Sequence, residues 1–136
     1  MILSVLRGPE IMFEVSVEDT FAAGHALRGY RGKCENPHGH NYKVQITLAG
    51  GTLDHIGLLY DFKDLKAAMG EVVERLDHQY LNDIAPFHEQ NPSAENMARY
   101  FYQECTAKLN STTGGRIRVK QVKIWETDTT TATYFE

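Results

Sequence analysis

Apolar positions alternate along two stretches of the chain and recur at helical spacing along two others. In FEVSVEDTFAAGH, residues 13–25, Phe13, Val15, Val17 and Phe21 share one parity, which predicts a half-buried strand. In HGHNYKVQITLAGG, Tyr42, Val44, Ile46 and Leu48 share one face, while Asn41, Lys43, Gln45 and Thr47 share the other. Gly50 and Gly51 mark a turn at its end, and the two strands are expected to pair antiparallel. Leu65, Ala68, Met69, Val72 and Leu76 then repeat at three-and-four spacing, behind Asp61 as a cap. That helix ends at LDHQYLND. A second helix opens at NPSAEN, with Ser93 as N-cap and Glu95 in its first turn. It carries Met97, Phe101, Cys105 and Leu109 and stops at STTGG. The last segment, RIRVKQVKIWETDTTTATYF, predicts a strand and a short closing strand at ATYF. The order β-β-α-α-β-β describes an α+β protein, an antiparallel sheet with helices on one face.

Composition narrows the function classes. At 136 residues and 42 % apolar, the chain suits one packed domain, expected over residues 12–136. Residues 1–11, MILSVLRGPEI, read as a loose leader, with Met12 as an alternative start. Fourteen basic against eighteen acidic residues give a net charge of −4. No broad basic footprint for nucleic acid follows, although a local basic patch for a small anion does. No stretch approaches the ~20 apolar residues of a membrane span, and the N-terminus lacks the h-region of a signal peptide. Two cysteines make no disulfide framework. Cys105 reads as a small buried residue in a helix, and a reducing, cytoplasmic compartment fits.

The stretch CENPHGHNY carries candidate chemistry. Residues i and i+2 of a strand point the same way, so His38 and His40 continue the apolar face of Tyr42 and Val44. Each buried imidazole nitrogen left unpaired costs about 1–3 kcal/mol. A metal ion removes that cost by taking one nitrogen from each ring. His25 has the parity of Val17 and Phe21 and ends the neighbouring strand, which makes it a candidate third ligand. Three histidines and an open position describe a catalytic zinc; Cys34 as a fourth ligand describes a closed, structural one. Both stay open at this point. His55 and His88 have no partner pattern and read as surface residues.

Two further groups stand out. Asp77 and His78 follow the first helix directly, and a carboxylate beside an imidazole fixes its tautomer for acid/base work. Glu126 shares the parity of Val122 and Ile124. A carboxylate on an apolar face needs a partner, either a cation or a ligand's N–H groups. Arg28, Arg31 and Lys33 crowd the loop before Cys34 and offer positive charge to an anion.

Taken in order, FAAGH, CENPHGHNY, GLLYDFKDLK, LDHQYLN, NPSAENMA and WET…TATY resemble the 6-pyruvoyltetrahydropterin synthase / 6-carboxytetrahydropterin synthase family over nearly all of Met12–Tyr134. The resemblance implies the tunnelling fold, with subunits joined edge to edge into barrels, and a homohexamer. It implies 7,8-dihydroneopterin triphosphate as substrate and zinc bound by His25, His38 and His40. Cys34 would move a proton at the side-chain carbons. Asp77 and His78, from a neighbouring subunit, would be its acid/base partner. Glu126 would anchor the pterin ring. The arginines and Lys33 would meet the triphosphate.

The short CENPHGH loop looks more like the carboxy branch, which expels acetaldehyde and triphosphate and serves queuosine and other deazapurines. The pyruvoyl branch, which expels triphosphate only, is the alternative, and a non-catalytic zinc-stabilised binding module is a second. A further tunnelling-fold branch acting on another purine or pterin would keep Glu126 and dispense with the histidines. The sequence departs from the family at Gly24, where Ala is commoner, and at Ser93, where Thr is commoner.

Overall fold

The computed structural model describes residues 12–136, so the leader expected over 1–11 lies outside the described residues. Strand β1 spans Phe13–His25 and β2 spans His38–Gly50. They pair antiparallel along their whole length, from Phe13 opposite Gly50 to His25 opposite His38. Helix α1, Phe62–Leu76, follows. A two-residue strand β3, Gln79–Tyr80, and helix α2, Ala94–Thr113, come next. Strands β4, Arg118–Thr127, and β5, Thr130–Phe135, complete the chain. The sheet order is β3-β1-β2-β4-β5.

The expected caps form. The Asp61 carboxylate accepts the Lys63 N–H at 2.8 Å, and the Ser93 hydroxyl accepts the Asn96 N–H at 3.1 Å. Each such cap contributes roughly 1 kcal/mol. Helix α2 ends on Gly114, whose φ of 63° is left-handed and suits a residue without a side chain. Both helices lie on the same face of the sheet. Leu65, Met69 and Leu76 of α1 and Met97, Phe101, Cys105 and Leu109 of α2 meet Tyr42, Val44, Ile46 and Leu48 in one fully buried cluster. Burial pushes the Cys105 thiol up to about 12, in keeping with a packing role.

Periodicity did not announce β3. It pairs parallel with Ala23 and Gly24, and two residues are too few to show alternation. A second irregularity bears on function. Trp125 pairs with Thr131 and Thr127 with Thr130, so Glu126 is the extra residue of a bulge. Bulges re-aim side chains beside sites.

Candidate metal centre and active site

The ladder places the histidines. His25 and His38 are register partners, and His40 lies one step further along β2 opposite Ala23. All three rings project onto the helix-covered face, where Tyr42 continues the stack. Their ring centroids lie 4.5, 4.9 and 5.1 Å apart, with steep interplanar angles. One ring nitrogen from each falls within 4.8 Å of the others. His25 is buried, and the other two are half-buried.

Hydrogen bonds decide which nitrogens face inward. His25 Nδ1 lies 2.7 Å from the Pro92 carbonyl, and His38 Nδ1 lies 2.8 Å from the Asn36 carbonyl. A carbonyl only accepts, so each Nδ1 carries the proton and each Nε2 presents a lone pair. Those two Nε2 atoms are 3.0 Å apart. Two lone pairs facing at that distance repel unless a positive charge sits between them. His40 Nε2 is buried with no hydrogen-bond partner among the described residues. The three residues therefore fit a divalent metal with imidazole-type ligation. The two carbonyls supply the outer hydrogen bonds that hold metal-ligating histidines in one tautomer. Burial is the main reason His25 and His40 are held below the ordinary imidazole value of 6.5, which keeps both neutral and ready to ligate.

Cys34 does not join the converging ligand atoms. It sits, half-buried and free, on a one-turn 3₁₀ helix, Lys33–Glu35, between β1 and β2. The converging set is therefore three imidazoles, without the sulfur that a closed four-ligand arrangement would add.

Glu126 does reach the cluster. Its carboxylate oxygens lie 3.9 Å from His25 Nε2 and 3.7 Å from His40 Nε2. It also lines a cavity of about 240 Å³ with Leu27, Ser93, Glu95, Thr130 and Thr131. A ligand in that cavity would meet the carboxylates of Glu126 and Glu95. The sequence reading missed Glu95 and the two threonines as cavity residues. Glu95 had a complete explanation as a first-turn acid of α2, and the threonines sat in a polar strand without pattern.

Asp77 and His78 form a second group, and His78 lines one cavity of about 370 Å³ together with His40. One Asp77 oxygen accepts the Ala22 N–H at 2.9 Å, and the other lies 3.0 Å from His78 Nδ1. These bonds, the backbone one first, hold the Asp77 carboxyl below the usual carboxylate range. The His78 N–H donates to the Ala22 carbonyl, at a left-handed φ of 59° that is uncommon for a residue with a side chain. His78 is 80 % exposed. No hydrogen bond or ion pair among the described residues connects this pair to Cys34 or to the three histidines.

Arg28 also departs from expectation. Its guanidinium donates to the Phe87 carbonyl at 2.7 Å and the Asn82 carbonyl at 3.4 Å. These bonds tie it to the fold, although Arg28, Arg31 and Lys33 are all exposed. His55 and His88 are exposed, as expected.

The sequence matches the profile described as 6-pyruvoyl tetrahydropterin synthase over residues 14–136. The chain belongs to that family. A 6-carboxy-5,6,7,8-tetrahydropterin synthase of Synechocystis sp. is 33 % identical over 129 residues, covering 91 % of this chain and 94 % of the relative. The 6-pyruvoyl tetrahydrobiopterin synthase of Homo sapiens is 31 % identical over 141 residues, covering 93 % and 94 %. The solved 6-pyruvoyl tetrahydropterin synthase of Caenorhabditis elegans superposes with a TM-score of 0.78 at 28 % identity, covering 92 % of this chain and 96 % of that one. The fold is accordingly the tunnelling fold, and the family is one of lyase-type enzymes acting on pterins. No helix among the described residues is long and apolar enough to cross a membrane.

Proposed function

We propose that this protein is a zinc-dependent lyase that converts 7,8-dihydroneopterin triphosphate and one water to 6-carboxy-5,6,7,8-tetrahydropterin, releasing acetaldehyde and triphosphate. Residues 12–136 would form the single catalytic domain. It would work in the cytoplasm, in the supply of queuosine and related deazapurines. The observation that carries the reading is the pair of facing Nε2 lone pairs, His25 and His38 at 3.0 Å, beside the orphaned His40 Nε2. The fold provides no charge of its own between them.

His25, His38 and His40 would hold the metal, which would supply Lewis-acid help of several kcal/mol at a substrate hydroxyl. Everything else falls to the chain. Glu126, raised by its bulge into the cavity beside the cluster, would accept hydrogen bonds from the pterin amino and ring N–H groups and set the ring's orientation. Cys34 would take or return a proton at the side-chain carbons, as a thiol outside the ligand set is free to do. Asp77 keeps the Nδ1–H of His78 pointed at itself, which leaves Nε2 as the working base. That nitrogen faces solvent, so this pair would serve the Cys34 of an adjacent copy in a homohexamer with active sites at subunit interfaces. Arg31 and Lys33 would meet the triphosphate.

The pyruvoyl product is the second reading, supported by the human relative. Incubation with 7,8-dihydroneopterin triphosphate, mass analysis of the pterin and an assay for acetaldehyde decide the matter. A 6-carboxy pterin with equimolar acetaldehyde is the expected result. Triphosphate release without acetaldehyde selects the pyruvoyl reading, and an untouched substrate overturns both.

A further inference from the structure

The thiol assigned above sits where the sheet cannot hold it. Cys34 lies beyond the last ladder pair, His25 opposite His38, in the connection between β1 and β2. Proton transfer needs heavy atoms within about 2.6–3.2 Å, and a displacement of about 1 Å costs up to roughly a hundredfold in rate. Something other than strand pairing has to fix this turn.

The bond that reaches Cys34 from β1's side is the Leu27 N–H, donating to its carbonyl at 2.9 Å. Leu27 is itself gripped on both sides. The Ala26 N–H donates to Asn82 Oδ1 at 2.9 Å, and the Ala26 carbonyl accepts from Asn82 Nδ2 at 2.9 Å. The Arg28 N–H donates to Asn91 Oδ1 at 2.8 Å, and the Arg28 carbonyl accepts from Asn91 Nδ2 at 2.9 Å. Each amide makes both bonds that a neighbouring strand would make. The clamps are anchored in turn: Asn82 lies in the 3₁₀ turn Leu81–Asp83, and the Asn91 carbonyl accepts from Asn96 Nδ2 at 2.8 Å, in the first turn of α2.

We propose that Asn82 and Asn91 are positioning residues for the Cys34 thiol, acting through the clamped segment Ala26–Arg28 and the Leu27–Cys34 hydrogen bond. The inference rests on the reading of Cys34 as the proton-transfer group. An amide side chain carries a donor and an acceptor on the same carbon, so it can close both backbone bonds of one residue. The segment 81–96 thereby serves two parts of the site, since its Pro92 carbonyl also orients His25.

Asn91 gives the cleaner test, because it leaves Ala26, the neighbour of His25, untouched. In Asn91→Ala, kcat should fall about tenfold to a hundredfold with KM little changed. Amide hydrogen exchange at Leu27 and Arg28 should quicken, and alkylation of Cys34 by iodoacetamide should accelerate several-fold. Metal stoichiometry and affinity should hold. Asn91→Asp keeps an acceptor for the Arg28 N–H and loses the donor; it should lie between, and it carries the test if the alanine variant does not fold. Cys105 is fully buried and does not confuse the alkylation. Quickened exchange with unchanged kcat overturns the proposal, as does a loss of kcat that tracks a loss of metal. Should the wild type leave the pterin triphosphate untouched, the functional reading fails separately. The alkylation rate then decides alone, and an unchanged rate overturns the clamp.

Discussion

The three histidines and the Asp77–His78 pair are built on opposite principles. The histidines sit on the helix-covered face, one fully buried, with carbonyls from two different loops fixing their rings. The Asp–His pair hangs at the sheet edge, tied to Ala22 and otherwise open to solvent. The three imidazoles converge within the chain, while the Asp–His pair makes no hydrogen bond to them or to Cys34 among the described residues. A metal ligand set gains from dehydration and rigidity, which a single core supplies. The exposed pair keeps its bonding geometry while staying open to whatever ligand or surface comes to it.

The largest effect expected from breaking this contrast is on the buried side. His40→Ala removes a candidate ligand whose Nε2 has no hydrogen-bond partner among the described residues. Metal stoichiometry should drop to near zero and turnover by about a thousandfold or more. Full metal content by elemental analysis would sink the ligand assignment.

Cys34→Ala should cost about 10²–10⁴ in turnover while leaving metal content and Tm unchanged, because the sulfur is outside the ligand set. If the metal leaves with the sulfur, a structural zinc module is the better description.

On the exposed side, Asp77→Asn preserves the acceptor for Ala22 and presents an N–H to His78 Nδ1, reversing the tautomer. Turnover should fall about a hundredfold, with less change in Tm than Asp77→Ala, which also strips the strand edge. Mixed assemblies of Cys34→Ala and His78→Ala subunits should regain activity that neither has alone. Mixtures as inactive as their parents would refute the intersubunit site.

The pH response separates the two regions again. Burial holds His25 and His40 below 6.5, so the unfolded chain takes up those protons first as pH falls. Stability of the metal-free protein should be complete above pH 6.5 and decline as pH drops through the window between the unfolded and folded values. Metal affinity should stay flat above that pH and fall below it. Chelator-stripped protein that melts higher at pH 5.5 than at pH 8 would contradict this.

Gly24→Ala should have the smallest effect. The added Cβ would meet the His38 carbonyl and the Tyr80 ring at 3.5 Å, ordinary contact distances. A change in stability within about 1 kcal/mol and unaltered metal binding are expected.

Local patterning explains how much was legible beforehand. Val44, Ile46 and Leu48 alternate, so β2 and its inward face could be read directly, and His38 and His40 inherited that face from a two-residue period. Asp61, Ser93 and Gly114 are local chemistry, and each cap formed where the sequence put it. The register that sets His25 against His38, the carbonyls of Pro92 and Asn36 behind them, and the bulge at Glu126 depend on pairings between distant segments. So does the commitment of Arg28 to the Phe87 carbonyl, which its place in a basic loop gave no reason to expect.

By itself the sequence determined the α+β order, the inward face of each strand and the residue types able to ligate a metal, because those follow from spacing and from the chemistry of single side chains. Only the tertiary structure decided which nitrogens converge, that the sulfur stands aside, and which carboxylate meets the cluster. Those outcomes hang on hydrogen bonds a few ångströms long between residues as far apart as His25 and Pro92, and no local period in a chain encodes such a distance.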